Sequence, residues 1–598
     1  MKQYNKLFLF ALVGLIAVFL GFFAFSPQTM LELYKNYSYW FITISCILWI
    51  ISIIEPFAES NKTDNSGNTL FLTTKLFLKN HWVALFLSLF LMILAIFACK
   101  PDFRILADET NLLSVSQSLY NSRESLLDCS SFVYRKGIKE IIIGRLDKRP
   151  IFFPYLLSII HVLTGYRPEN IFILNFIVGF ISLFLFYYLI QLIYGRFWGI
   201  IGLVILVSNP LFVVYTASAG FDVFNMMCSL VFFICLYKFI KNTNAKSAEV
   251  LLLWLPLIAQ SRYESVLSLI IALPLVFYLL PKEQYEKFSY RFVFFPLLLI
   301  SPAWLRQVTN NPTDWQMQGG DSVFSLEWLW QNINNAISFF MTGDVSYGVI
   351  PLISILALIG FIFFIQEVFF KKTSALIQNT KFLPIREFRI FWISVFLFYI
   401  LHAIVKLSFK LCDFTDVLAC RHAIIFLPLL IIMALSFGVL LKIHYSINRF
   451  GIAIACLFLL IVYWPDINSL CGTKEVELFR EFKFTREYLE TNFPDKRDYI
   501  ILSKEAYLYT PLGYNSVYIS LYNDFNDLIK GYYDKKYCRY YLVFQTLNSE
   551  TGLPFDGYEF PKGLKSEILL ETQFKKGFLY RISRCVPYND NQSLKEEK

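Results

Sequence analysis

The sequence predicts an all-α membrane protein, a bundle of about thirteen spans followed by a soluble α/β domain at the C-terminal end. Three observations carry this. Hydrophobic residues fill 56% of the positions and charged residues 17%, more apolar surface than one soluble core of this length would bury. Apolar runs of bilayer length recur from residue 7 to residue 464. Beyond Pro465 the texture changes to strand-like and helix-like stretches separated by turn residues.

The spans fall at roughly 7–25, 39–54, 82–99, 170–193, 197–216, 221–240, 249–260, 264–280, 291–303, 349–369, 390–409, 422–442 and 450–464. Leu7–Phe25 carries no charge between Lys6 and Glu32, and no small-residue cleavage site follows it, so it reads as an uncleaved span. The runs between 249 and 303 are short. Ile151–Gly165 is apolar as well, but at about 15 residues it is nearer the length of an interfacial or re-entrant helix.

Charge bias places that segment. Short cytoplasmic loops collect Lys and Arg. With Ile151–Gly165 lying along the surface, the loops of one side hold Lys75, Lys79, Arg196, Lys238, Lys241, Lys282, Lys287, Lys371, Lys372 and Arg386, among others. The short loops of the opposite side then hold only Lys35, Arg262, Lys410 and Arg421. Letting the segment cross reverses this bias. The N-terminus is therefore expected inside and the C-terminus outside. The net charge of +9 marks the cytoplasmic side under this topology, not a nucleic-acid partner. No P-loop, G-x-G-x-x-G or zinc-finger spacing points elsewhere.

Three large outside pieces follow: Lys100–Glu169, Trp304–Gly348 and the tail from Pro465 to Lys598. The first mixes many cations with many carboxylates, which suggests an anion to bind. In the tail, Lys474–Asn492 reads as a helix, and Tyr499–Leu502, Val517–Ser520, Tyr540–Phe544 and Phe578–Ile582 read as strands. The chain divides accordingly into 1–81, two N-terminal spans and a cytoplasmic loop; 82–465, the main membrane module; and 466–598, a small outside α/β domain. That domain shows no nucleophile or metal motif and reads as a structural or acceptor-docking module.

Candidate chemistry sits at span ends. Asp108 and Glu109 lie within about ten residues of the end of span 82–99, where a carboxylate can meet a lipid-borne head group and accept a proton. They equally suit the charged first turn of a helix. Asp222 sits beside a very short outside turn, where an ionisable group is costly. Lys148 and Arg149 precede Pro150 at phosphate depth, Arg262 and Glu264 interrupt the apolar run Leu251–Leu280, and Arg421 with His422 opens span 422–442. Such cations can hold a phosphate or simply snorkel to the interface. His81, His161, His402 and His444 are isolated. No cofactor is expected, and dependence on a divalent cation is left open.

Cys46, Cys228, Cys235 and Cys456 fall inside spans and Cys99 ends one, where each reads as a small buried hydrophobe. The outside cysteines are permitted to pair, with Cys412–Cys420 and Cys538–Cys585 as candidates.

Taken together, the order of these features resembles the polyprenyl-phosphate-sugar-dependent glycosyltransferases of the GT-C class, nearest the family 39 branch of protein O-mannosyltransferases and lipid A aminoarabinose transferases. The resemblance covers about residues 82–465. It rests on Asp108-Glu109, on Lys148-Arg149-Pro150 followed by Phe153-Pro154-Tyr155-Leu156-Leu157, on Ser208-Asn209-Pro210 through Ser218-Ala219-Gly220-Phe221-Asp222, and on Arg421 opening a late span. It implies a GT-C-like helical bundle that moves a sugar from a polyprenyl-phosphate carrier to an acceptor hydroxyl of a glycan, lipid or protein. Asp108 would be the base, Glu109 its neighbour and Asp222 the second carboxylate. Lys148, Arg149, Arg262 and Arg421 would meet the carrier phosphate. Departures are Thr110-Asn111-Leu112 where relatives often carry Arg or Tyr, Arg149 where a second Pro is usual, and two additional N-terminal spans.

The rival class is a polytopic transporter or lipid flippase for envelope glycan precursors, and a third is an inactive scaffold. Transporters place polar residues and broken helices at the midplane, whereas most charge here lies at span ends. The expected location is a bacterial inner membrane, with the site and the C-terminal domain on the periplasmic side. Asn591-Gln592-Ser593 is the single sequon in the tail.

Overall fold

The computed structural model describes residues 5–63, 69–133, 139–309, 324–342, 349–370, 383–416, 418–445, 477–524, 531, 533–534 and 537–588. The chain forms two compact units. One comprises Met1–Asp102, Lys148–Leu156 and Ile171–Lys474; the other comprises Phe103–Asp147, Leu157–Asn170 and Glu475–Lys598.

The first unit is helical. Among the described residues, nine helices are long and apolar enough to cross a membrane, and a tenth span arises if one bent pair is counted. This is a multi-pass membrane protein. Expected spans 249–260 and 264–280 coincide with Ala245–Ile258 and Glu264–Leu279, which fall short of spanning length, and 450–464 lies outside the described residues. The bent pair, Arg196–Ser208 and Pro210–Thr216, turns by 73° at Asn209. Pro210 cannot accept a helical residue before it, and Asn209 is accordingly extended at φ −78°, ψ 117°. Helix Phe152–Thr164, with 13 residues, is only about 20 Å long, too short to cross the hydrocarbon, in line with the surface placement of Ile151–Gly165.

Helix Asp222–Asn242 is the centre of this unit. Its apolar window is 89% buried, against 17% for Asn5–Phe22 at the rim. Its all-round apolar character explains this, since a helix with no polar face is stable only inside a bundle or in lipid. Close helix packing recurs where side chains are absent. A Cβ on Gly360 would lie 2.0 Å from the Met433 carbonyl oxygen, so helices Pro351–Ile365 and Leu427–Tyr445 meet backbone to backbone there.

The second unit carries a seven-stranded mixed sheet. Its strands are β1 (Leu127–Val133), β2 (Lys139–Arg145), β3 (Tyr499–Ser503), β4 (Ser516–Tyr518), β5 (Tyr540–Asn548), β6 (Leu564–Lys575) and β7 (Phe578–Pro587), in the order β2-β1-β4-β3-β5-β7-β6. Two strands of the first outside loop thus belong to the same sheet as the tail. β4, β3 and β5 are parallel, and every residue of β3 is buried, as a two-face-covered parallel strand requires. Ile500, Leu502, Val517, Tyr541 and Val543 form the core on this sheet.

The expected tail helix appears as Glu477–Asn492, and three of the four expected strands appear as strands throughout. The fourth is shorter, because the chain turns helical at Ile519. β6 was not anticipated. It is an edge strand whose outward residues are charged, which hides its period-two pattern. Arg581–Glu571 at 2.6 Å and Arg584–Glu567 at 2.7 Å tie it to β7 across the register.

The cysteine expectations need correction. Cys412, Cys420, Cys538 and Cys585 are buried free thiols, so neither candidate pair forms. Cys99 is disulfide-bonded rather than a lone buried hydrophobe.

Candidate active site

The site in the membrane unit is built around the N-terminal end of helix Asp222–Asn242. Asp222 is its first residue, and the turn before it is pinned from a neighbouring helix: Asn175 donates to the carbonyls of Ser218 at 2.6 Å and Gly220 at 2.8 Å. One turn on, Asn225 Oδ1 accepts from Ser261 at 2.9 Å and from Ser265 at 2.7 Å. These bonds hold the segment 261–265 against the helix start. They bring Arg262 onto Asp222.

Arg262 is the hub. Its Nη1 donates to Asp222 Oδ1, its Nε lies 3.1 Å from Glu264 Oε1, and its Nη2 lies 2.8 Å from His422 Nδ1. A guanidinium has only donors, so His422 Nδ1 is the unprotonated nitrogen of that ring. Arg262 Cζ also lies over the Phe221 ring, 4.8 Å from its centre, a cation–π contact. Lys406 reaches Glu264 Oε1 at 2.5 Å from the end of helix Ile385–Leu407. Arg421 Nε lies 4.0 Å from Asp222 Oδ2, an ionic approach longer than a hydrogen bond. Arg306, from helix Ile300–Thr309, sits over Tyr263 at 5.8 Å and acts on Glu264 through charge.

Four cations therefore surround two carboxylates in a largely buried cluster. Charges removed from water are stable only when paired. Asp222 faces both Arg262 and Arg421, and Glu264 faces both Arg262 and Lys406. A cluster of that composition suits an anion with several acceptor oxygens, and a phosphate is the natural match for guanidinium forks.

Lys148 and Arg149 are both half-buried and lead through Pro150 into helix Phe152–Thr164. The start of that helix is fastened beside the cluster. Phe152 N–H donates to the carbonyl of Gln260 at 3.1 Å, and the rings of Phe152 and Phe153 lie 5.1 and 5.6 Å from Phe224.

Asp108 and Glu109 belong to the other unit, in the first turn of helix Leu106–Asn121. Glu109 is buried and its Oε2 accepts the Arg104 N–H at 2.6 Å, closing the helix start; Asp108 is half-buried. Among the described residues, no cluster of three or more His, Cys, Asp or Glu could hold a metal ion.

Residues 148–305 match the family described as dolichyl-phosphate-mannose-protein mannosyltransferase. The matched segment begins at Lys148 and includes Asp222, Arg262 and Glu264, while Asp108, Glu109, Arg306, Lys406 and Arg421 lie outside it. A crystal structure of ArnT from Cupriavidus metallidurans bound to undecaprenyl phosphate is similar over 84% of this chain and 98% of that one, at 12% identity and a TM-score of 0.46. No curated protein sequence matches the chain.

Of the site residues read from sequence, the structure brings Asp222, Arg262 and Arg421 into one cluster. Lys406 and Arg306 are not singled out by the sequence, and His422 has no role in the cluster on that reading. Lys406 carried a signal, an ionisable residue within the apolar run 390–409. Arg306 sits just past a short run and shows nothing locally.

Proposed function

We propose that the protein moves a sugar from a polyprenyl-phosphate carrier to an acceptor hydroxyl on the outer face of a membrane, and that Arg262, Arg421 and Lys406 hold the carrier phosphate. The observation that carries this assignment is the convergence of Arg262, Arg421 and Lys406 on Asp222 and Glu264. In the reaction the acceptor oxygen bonds to the anomeric carbon as the bond from that carbon to the carrier phosphate oxygen breaks. The electron pair leaves with the phosphate, and fixed cations stabilise it there at no reorganisation cost. Asp222 orients Arg262, and Glu264 orients both Arg262 and Lys406.

Asp108 takes the acceptor proton in this account, on the strength of the family resemblance and its place at the start of a helix in the outside unit. Lys148 and Arg149 serve the same phosphate as entry contacts. A bacterial inner membrane with a periplasmic site suits the charge bias of the loops. The transporter reading has less support, because the buried ionisable residues gather at span ends instead of a midplane track.

The test is transfer in membranes supplied with candidate polyprenyl-phosphate sugars, comparing the native chain with Asp108→Asn. The reading expects transfer by the native chain and a loss of about a hundredfold or more in the variant. Full transfer by the variant removes Asp108 from the mechanism, and substrate movement without any transfer sinks the enzyme.

A further inference from the structure

The C-terminal unit holds a second feature with the chemistry of a binding site. A cleft of about 320 Å³ opens between helix Glu477–Asn492, the end of β5, the loop that follows it and the β6–β7 hairpin. That volume lies within the range of small-ligand pockets. Five rings form its walls: Phe555, Tyr558, Phe574, Phe578 and Tyr580. Phe555 and Phe578 stack at 4.7 Å, and Phe574 lies against Tyr580 at 5.8 Å, so the ring planes are fixed by each other. The hairpin turns on Gly577 at φ +87°, a conformation that favours glycine, and this sets Lys575 opposite Phe578.

Polar groups enter at defined places. Glu481 and Thr546 line the cleft. Tyr558 OH donates to Glu505, and its backbone carbonyl accepts from Gln545 at 2.9 Å. Thr485 donates to Tyr580 OH at 3.1 Å. Burial, reinforced by the nearby Glu505 charge, pushes the Glu481 carboxyl up to about 7, so near neutral pH it can donate as well as accept.

This combination selects among ligand classes. A cationic amine would seek the ring faces, but the chain's own ammonium groups already use them: Lys575 lies 5.3 Å from the Phe578 ring and Lys504 5.1 Å from Tyr558. A purely apolar ligand would cover the Glu481 carboxyl and offer it no hydroxyl in exchange for water. A ligand with one apolar face and a rim of hydroxyls satisfies both sets. We propose that this cleft binds a neutral saccharide unit, with its C–H face on the Phe574 ring and its hydroxyls on Glu481 and Thr546. In a sugar-transferring enzyme such a ligand belongs to a glycan acceptor; that last assignment rests on the transferase reading, whereas the binding does not.

The experiment is saturation-transfer NMR titration of the full-length protein in nanodiscs with neutral disaccharides of glucose, mannose, galactose and N-acetylglucosamine, and with tetramethylammonium as a cationic probe. At least one disaccharide is expected to bind saturably. Phe574→Ala is expected to weaken it about tenfold or more, and the near-isosteric Glu481→Gln, which keeps the fold if the larger change does not, to weaken it several-fold. Lys565→Ala, on the exposed edge of β6, should leave it unchanged. Failure of every disaccharide, binding indifferent to both cleft variants, or binding of tetramethylammonium alone overturns the proposal. Saccharide binding by a chain that transfers no sugar from any carrier counts against the transferase reading and leaves the cleft standing.

Discussion

The Lys406 ammonium lies 2.5 Å from the Glu264 carboxylate, with 5% and 6% of the two side chains exposed. Removing one member of such a pair strands the other as a buried charge, which costs about 3 to 5 kcal/mol. Glu264→Gln should therefore lower the thermal stability of the detergent-solubilised protein sharply. The double change Glu264→Gln with Lys406→Met should cost clearly less than the sum of the two single changes. Additive losses in that double-mutant cycle would show that the pair is not coupled.

Arg262 contacts Asp222, Glu264 and His422 at once and lies over the Phe221 ring. Arg262→Lys keeps the charge but loses the planar fork. We expect a rise of about tenfold or more in KM for the sugar carrier, from loss of bidentate geometry worth roughly 1.5 kcal/mol. Steady-state kinetics in reconstituted membranes checks this, and an unchanged KM would remove Arg262 from phosphate binding.

Glu481 gives the second unit a pH signature. Its carboxyl ionises near its ordinary 4.5 when unfolded and near 7 when folded, because burial and Glu505 disfavour the charge. The folded state thus holds a proton that the unfolded state has released between those values. The stabilisation is complete below about pH 4.5 and is lost as pH rises toward 7, about 2 kcal/mol after discounting for partial exposure. Hydrogen exchange in β5 and β7 of the full-length protein, corrected for intrinsic rates, should show protection falling across that window. Glu481→Gln should flatten it; a variant with the same slope would place the effect elsewhere.

Topology yields a third kind of test. Leu411 is 53% exposed in the short segment between helix Ile385–Leu407 and Cys420, and Lys282 is exposed between helix Ser268–Leu279 and Tyr290. The charge bias assigns these to opposite faces. An impermeant thiol reagent should label Leu411→Cys from outside only and Lys282→Cys only after the membrane is opened. The reverse pattern would invert the protein and put Asp222 on the cytoplasmic face.

Much of this site was legible because burying charge is expensive. Asp222 beside its short turn, and Arg262 with Glu264 inside an apolar run, violate the span pattern, and each violation is answered by a partner in the fold. Arg421 was legible for the same reason. Lys406 was passed over because a lysine near a span end also suits simple snorkelling, and only tertiary packing aims it at Glu264 instead of the interface. The union of β1 and β2 with the tail sheet was not readable either. β1 meets β4 at Ser131 and Ser516, far apart in the chain, and no local periodicity encodes that pairing. The parallel core strand β3 was visible as a continuous apolar run, while the charged edge strand β6 was not.

The central claim is that Arg262, Arg421 and Lys406 hold a carrier phosphate, and equilibrium binding of a polyprenyl phosphate to the full-length protein in nanodiscs tests it most directly. Arg421→Gln should raise Kd by about thirtyfold, the loss of one charge-assisted phosphate contact worth roughly 2 kcal/mol. Lys238→Gln, at the opposite end of helix Asp222–Asn242, should leave it unchanged. Equal affinity in the native chain and Arg421→Gln, or equal weakening by both substitutions, would contradict the account.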